Sequence, residues 1–464
     1  MLFPVLRILR AGLVAVTLVL LPSFAAAPAR PPNFVVIMLD DLGYGDLGAY
    51  GSTFNRTPNI DRLAREGVRF TDFYANSSKC SPTRAALLTG RYPERAGVNT
   101  VFTGVTHTAG MSPQAVTFAR PLRQAGYATA VYGKWHVGYA LEANPARHGF
   151  DDFRGQLSGG INYFTHIDAG GHHDWWHNEK RVPERGYTTH LVTDHTLNFI
   201  RANKSRPFCV YVPYGAPHIP HMGPNDGDIV RYDQFYGTAE KYREMLAEVD
   251  TEVGRILAQL RADGLDGNTF VFLTSDNGAD KPGSNRPLRG MKGEMFEGGL
   301  RVPFIAWAPG RITAGCETAA RAATMDVFPT LLGLAGLPAP TRQGEVFDGV
   351  DLSPVLLQGK PLTERPLFFH FREWRAAISG PWKWITFDRQ WDTEQRGQKV
   401  QTHLFNLAED PGEKKNLAES QRDQVSKLNA AWTGWRADIE PESKPALQWA
   451  RRRVDNVGKL IDRN

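Results

Sequence analysis

The chain carries only three cysteines, Cys80, Cys209 and Cys316, in 464 residues. So few cannot build a disulfide scaffold. An excess of one charge is also missing: 54 Lys and Arg stand against 49 Asp and Glu, a net +5. Over this length that argues against a nucleic-acid binder, although it suits an anionic small molecule. No internal repeat or low-complexity tract is present, which excludes a solenoid or a disordered chain. Long apolar runs are absent apart from one near the N-terminus. There Arg7 and Arg10 precede an apolar stretch at 13–21, and Ala25-Ala26-Ala27 offers a small-residue cleavage site. The stretch is too short for a membrane span. Residues 1–27 are therefore expected to be a signal peptide. The mature protein is expected to be secreted or periplasmic (lysosomal or luminal in a eukaryote), with no stable membrane insertion and no nucleic-acid partner.

What is present is a pattern of buried strands and helices. Residues 33–39, 127–132, 208–212 and 270–273 are short continuous apolar runs, the signature of strands covered on both faces. Helical periodicity lies between them at 59–66, 188–202 and 239–263. This alternation predicts an α/β fold with a large, mostly parallel sheet flanked by helices. A Pro- and Gly-rich shift at 350–366 ends that pattern. Short aromatic strands at 367–372, 376–378, 382–387 and 403–407 follow, with a polar helix at 423–439 and a charged, loosely held end from 451. We therefore expect an α/β domain over 28–360 and a smaller α+β domain with an antiparallel sheet over 361–464.

Residues 80–91 read CSPTRAALLTGR. Ser81 suits an N-cap, Pro82 the first helical turn and Gly90 the C-terminal stop. Cys80 and Arg84 then lie one turn apart beside the positive end of the helix dipole, a place for an anion. Asp40-Asp41 follows the first buried strand, and Asp276-Asn277 follows another. Ligand sites in open α/β sheets gather at the carboxyl ends of strands. Three carboxylates and an amide suit a hard cation, Ca²⁺ or Mg²⁺, better than zinc. Lys134 and His136 are two apart on an extended segment and should point the same way. His218 and Lys292 sit in Pro- and Gly-flanked loops. The 162–180 stretch contains His166, His172, His173, His177, Trp175 and Trp176. It can be read as a metal cluster, as an aromatic rim for a sugar or aryl ring, or as a loop packed over the sheet; a substrate-side loop is the expectation.

The string C-x-P-[ST]-R with L-x-T-G-R resembles the sulfatase signature. Gly133-Lys134-Trp135-His136-Val137-Gly138, the 297–303 stretch EGGLRVP and the 403–413 stretch HLFNLAEDPGE resemble the same family. The resemblance implies an alkaline-phosphatase-like fold and sulfate monoester hydrolysis. It implies that Cys80 is oxidised to formylglycine by a formylglycine-generating enzyme, and that one Ca²⁺ is held by Asp40, Asp41, Asp276, Asn277 and the oxygen of residue 80. Arg84 would hold formylglycine oxygens with the metal. Asp276 would help deprotonate the attacking hydroxyl, and His136 would act as base for elimination. His218 and Lys292 would protonate or stabilise the leaving alcohol, and Lys134 would bind sulfate. Ser158 is expected near an active-site histidine. The substrate would be a sulfate ester, such as a sulfated carbohydrate. Two rivals are a phosphomonoester or phosphonate ester hydrolase on the same scaffold and a non-catalytic secreted glycan binder that uses Trp175-Trp176. Whether Cys209 pairs with Cys316, and the oligomeric state, stay open.

Overall fold

A computed structural model describes residues 30–103, 107–227, 237–339, 347–387, 400–455 and 457–461. The expected signal peptide lies outside them. Five parallel strands form the centre of a ten-stranded sheet, in the order Thr269–Ser275, Asn33–Leu39, Phe208–Pro213, Ala128–Lys134 and Asp152–Gln156. Phe304–Trp307 extends it antiparallel on one side, followed by Val68–Phe70 and Cys316–Thr318. Two short antiparallel strands, Trp176–His177 and Lys180–Arg181, close the other side.

The Asn33–Leu39 strand shows why an unbroken apolar run is required. Phe34, Val36 and Met38 join one core with the helices Cys80–Thr89, Ala119–Gln124 and Val327–Ala335. Val35, Ile37 and Leu39 join a second core with Pro58–Glu66, Thr188–Asn203 and Ala239–Ala262. Alternate side chains thus enter opposite layers, and neither face meets water. Cys209 is buried on a central strand and Cys316 is exposed on an edge strand; both are free thiols.

Leu367–Phe371, Trp374–Ser379, Trp382–Phe387 and Gln401–Asn406 form the antiparallel four-stranded sheet. Its core includes Phe369, Trp384 and Phe405, with Trp432 and Trp435 from the last helix and Phe296 and Tyr74 from the large layer. That helix runs from Arg422 to Ala450, through Pro441 and Pro445, where the sequence pattern predicts a stop near 439. Interior prolines normally break a helix. Here packing holds the extra turns: Glu442 accepts from Arg91 and Arg95, and Ala446 lies against Gly97. The charged end is also tied down, contrary to expectation. Arg453 bridges Thr108, Val454 N–H donates to the His107 carbonyl, and Leu141 N–H donates to Gly458.

A buried ionic cluster joins the two layers. Lys383 Nζ lies 2.8 Å from Glu297 Oε1 and 3.0 Å from Glu413 Oε1, and all three side chains are fully buried. Tyr74 also donates to Glu297, and the Glu297 backbone N–H donates to Glu413. Burial, opposed by Lys383 and reinforced by Glu297, pushes the Glu413 carboxyl up to about 7.

Candidate active site

Adjacent parallel strands deliver the acidic residues side by side. Leu39 pairs with Ser275, so Asp40-Asp41 and Asp276-Asn277 leave the sheet at the same level. Asp41 N–H donates to Asp276 Oδ1 (3.2 Å), and Asn277 Nδ2 donates to Asp41 Oδ1 (2.7 Å). Asp41 adopts φ 62°, a left-handed turn that Asp tolerates better than most residues.

The helix that carries the cysteine begins two residues earlier than its sequence suggests. Lys79 is the N-cap, with extended backbone, and Cys80 is the first helical residue. Ser81 makes no cap; its hydroxyl accepts from Phe102 N–H (3.3 Å). Thr83 instead bonds back to both N–H and C=O of Ser77 and braces the entry to the helix. Gly90 ends the helix in the left-handed conformation, φ 68°, as expected. Cys80 is 2 % exposed, and its Sγ lies with carboxylate oxygens of Asp40 and Asp276 within 4.8 Å of one another. Burial, countered by Lys292 and Lys134, pushes the thiol up.

Three cations face three carboxylates. Arg84 donates through Nε and Nη2 to Asp276 Oδ2 (2.9 and 2.7 Å) and through Nη1 to the Lys134 carbonyl. Lys134 Nζ is bonded to Asp40, and Lys292 Nζ lies 2.6 Å from Asp41 Oδ2. Burial pushes Asp276 up to about 6, helped by the Asp40 charge and opposed by Arg84 and Lys134. For Asp41 burial also acts upward, but Lys292 and His218 outweigh it and hold this carboxyl below the usual range. The side-chain charges cancel, so a divalent cation would leave the pocket positive for an anionic ester. Two buried oxygens, Asp40 Oδ1 and Asn277 Oδ1, lack a hydrogen-bond donor among the described residues. Orphaned oxygens among three carboxylates fit a hard cation.

Lys134 ends its strand, and His136 has φ 56°, so the two do not share one extended segment as the sequence suggests. They still meet at the pocket, because the chain turns after the strand. His136 Nε2 lies 2.7 Å from the Phe102 carbonyl, which can only accept. The proton is therefore on Nε2. Nδ1 is a buried lone pair with no partner among the described residues. Burial and the charges of Lys134 and Arg84 push His136 well down, so the ring is neutral. His218 Nδ1 donates to the Ile219 carbonyl (2.6 Å), and its Nε2 lies 3.8 Å from Asp41. Burial and Lys292 push His218 well down too.

The Ser158 hydroxyl donates to the Gly160 carbonyl. Gly159 makes the close approach; a Cβ there would fall 2.6 Å from His136 Nε2. Trp175 and Trp176 are buried, and Trp175 stacks on buried His166 (4.8 Å). They are core, not a rim for a sugar ring, which removes the feature that favoured a glycan-binding protein. Sequence reading missed Phe102, Gly159 and Lys79. A backbone carbonyl and a close approach leave no residue-type signal. The lysine beside Cys80 did leave one: it is partly buried, and burial and Lys292 pull it below its usual value.

Comparison with known proteins gives the family. The sulfatase family model matches residues 32–337, and the model of the N-sulphoglucosamine sulphohydrolase C-terminal region matches 291–432. Human N-acetylgalactosamine-6-sulfatase is 34% identical, over 94% of this chain and 93% of its own. Bovine arylsulfatase A is 34% identical, over 87% of each. The crystal structure of Ps i-CgsB in complex with k-i-k-neocarrahexaose superposes with a TM-score of 0.79 at 29% identity, covering 91% of this chain and 95% of that one. With its alkaline-phosphatase-like α/β fold, the chain belongs to the sulfatase family of sulfuric ester hydrolases.

Proposed function

We propose that the protein hydrolyses sulfate monoesters, with a sulfated carbohydrate as substrate class, through a formylglycine formed from Cys80. The observation that carries this reading is the placement of Cys80 at a helix start, buried among Asp40, Asp276, Arg84 and Lys134. A thiol would form a thiosulfate-like adduct that is hard to clear. The hydrated aldehyde supplies two hydroxyls on one carbon: one attacks sulfur, and the other expels sulfate as C=O re-forms. Ca²⁺, or less well Mg²⁺, would be held by Asp40, Asp41, Asp276 and Asn277 and would add positive charge beside residue 80.

The chain's own groups divide the work. Asp276 is placed to take a proton from the attacking hydroxyl. Arg84 holds that oxygen, and Lys134 and Lys292 neutralise the sulfuryl oxygens. Lys292, kept charged by Asp41, stabilises the leaving oxygen. His218 presents Nε2 on the same side; the negative charge of a bound ester raises its basicity, so that it can carry the proton to the leaving alcohol. His136 Nδ1 takes the proton of the second hydroxyl. Support for a carbohydrate substrate comes from the N-acetylgalactosamine-6-sulfatase relatives and the neocarrahexaose-bound neighbour, not from buried Trp175 and Trp176. Export in the oxidising direction of the cell, guided by residues 1–27, belongs to the same reading.

The test is mass spectrometry of the Cys80 peptide from the native host, with rates for aryl sulfate and aryl phosphate. An aldehyde in place of CH₂–SH and faster sulfate release are expected; a fully alkylatable thiol, or preference for phosphate, sinks the reading. His136→Ala is expected to lower kcat by about 10²–10⁴-fold, since it removes the elimination base; steady-state kinetics checks this. Chelation is expected to lower the unfolding midpoint. Ca²⁺ at about 100 times its Kd should return about 2.7 kcal/mol of stability, read by thermal melts.

A further inference from the structure

A second cluster of ligand-type side chains lies outside the acidic pocket. His107, Asp168 and His172 each offer one atom, and these atoms lie within 4.8 Å of one another. Asp168 is 3 % exposed, while both histidines are partly exposed. The imidazoles meet edge to face at 5.0 Å, and His172 Nδ1 lies 3.6 Å from Asp168 Oδ1. That nitrogen is buried and has no hydrogen-bond partner among the described residues. Tyr139 supplies an independent sign. It is 6 % exposed, its ring packs against His107 at 4.9 Å, and its hydroxyl has no partner among the described residues. The charges acting on that hydroxyl are those of Asp174 and Asp168. An orphaned nitrogen beside the Asp168 carboxylate and an orphaned hydroxyl on the ring that packs against His107 are the marks of a missing bound group.

We propose that His107, Asp168 and His172 bind a divalent cation of the zinc class. Two imidazoles and one carboxylate suit a borderline ion and are wrong for Ca²⁺. A tetrahedral ion with bonds of about 2.0–2.1 Å needs ligand atoms about 3.3 Å apart, so atoms that lie within 4.8 Å of one another close by at most about 1.5 Å on binding. The fourth position is open to water or to Tyr139. The Asp168 carboxylate is already oriented, because its Oδ1 accepts from Gly170 and His172 N–H (2.9 Å each).

The position gives the ion a role. His107 follows Phe102, whose carbonyl holds His136 Nε2. Asp168 and His172 belong to the loop that also carries Asp174, and Asp174 accepts from Leu157 and Ser158 N–H. The next residue, Gly159, packs against the same Nε2 end of the His136 ring. An ion at this cluster clasps together the two segments that meet at the Nε2 end of His136.

The test uses the full chain, stripped with chelator and then kept in millimolar Ca²⁺ so that the acidic pocket is filled. Zn²⁺ is titrated calorimetrically, and Co²⁺ serves as its visible-absorbing substitute. Wild type is expected to bind one equivalent of Zn²⁺ that the His107→Ala/His172→Ala variant lacks, with affinity lower by at least about 100-fold in the variant. The visible bands of tetrahedral Co²⁺ should vanish with it. His172→Gln alone, which keeps size and hydrogen bonding, should lose the same equivalent, and metal-free melting curves show that each variant is folded. Equal Zn²⁺ binding by wild type and variants, or no Zn²⁺ held by wild type, overturns the proposal. The readout is metal binding, so it stands or falls apart from sulfate release.

Discussion

Cys80→Ala is expected to abolish sulfate release, with a loss of at least about 10⁴-fold in kcat, while the protein stays folded. Alanine keeps the helix start and removes only the Sγ atom from a buried site, so the stability cost is on the order of 1 kcal/mol. The cationic pocket remains, but nothing is left in it to attack sulfur. Cys80→Ser sharpens the result. Serine has one hydroxyl, enough to take the sulfuryl group and not enough to expel it. That variant is expected to stop after a single transfer and to carry a sulfate ester visible by intact mass. Full turnover by either variant would remove residue 80 from the chemistry.

Lys383→Ala is expected to destabilise the fold by about 3–5 kcal/mol, the scale for removing one member of a buried charge cluster. Glu297 and Glu413 would face each other in the core without the ammonium between them. Glu297 keeps Arg301 at 3.4 Å, so Glu413 bears most of the loss. Its carboxyl, already pushed up to about 7 by burial, must rise further. The sign follows. A carboxyl raised above its unfolded value of about 4.3 contributes fully below that pH and loses the contribution as pH climbs through the folded value. The deficit of the variant should therefore grow from pH 5 to pH 8 in denaturant melts. Adding Glu413→Gln should return much of it, because the second charge is then gone. A flat pH profile would show that the cluster does not carry charge in the fold.

The central sheet was legible because strands covered on both faces must be apolar without a break, and 33–39 is such a run. Strand ends were legible for the same reason, which located Asp40-Asp41 and Asp276-Asn277. Other features depended on contacts that no local pattern records. Ser81 looked like a cap, yet the structure spends its hydroxyl on Phe102 and lets Thr83 brace the turn. The sequence pattern ended the last helix at 439, but Glu442 and Ala446 pack on the 91–97 segment and carry it onward through Pro441 and Pro445. Trp175 and Trp176 could be read as part of a rim, a metal-binding stretch or a packed loop; the fold turned both inward. The histidine-rich stretch pointed to metal or substrate, but the structure pairs His172 with His107, which lies far from it in the chain, and buries His166 as a core ring.

The pairing of the first strand with Thr269–Ser275 sets a clock. Arg84 and its partner Asp276 are 192 residues apart in the chain. At a synthesis rate of about 5–20 residues per second, the second half of the pocket emerges roughly 10–40 s after the first. Throughout that interval Cys80 lacks the walls that later leave it 2 % exposed. If Cys80 is oxidised by an enzyme, as proposed, that enzyme works before the pocket closes; slower translation is then expected to raise the converted fraction, and rapid refolding of an unmodified chain to seal an inert thiol inside.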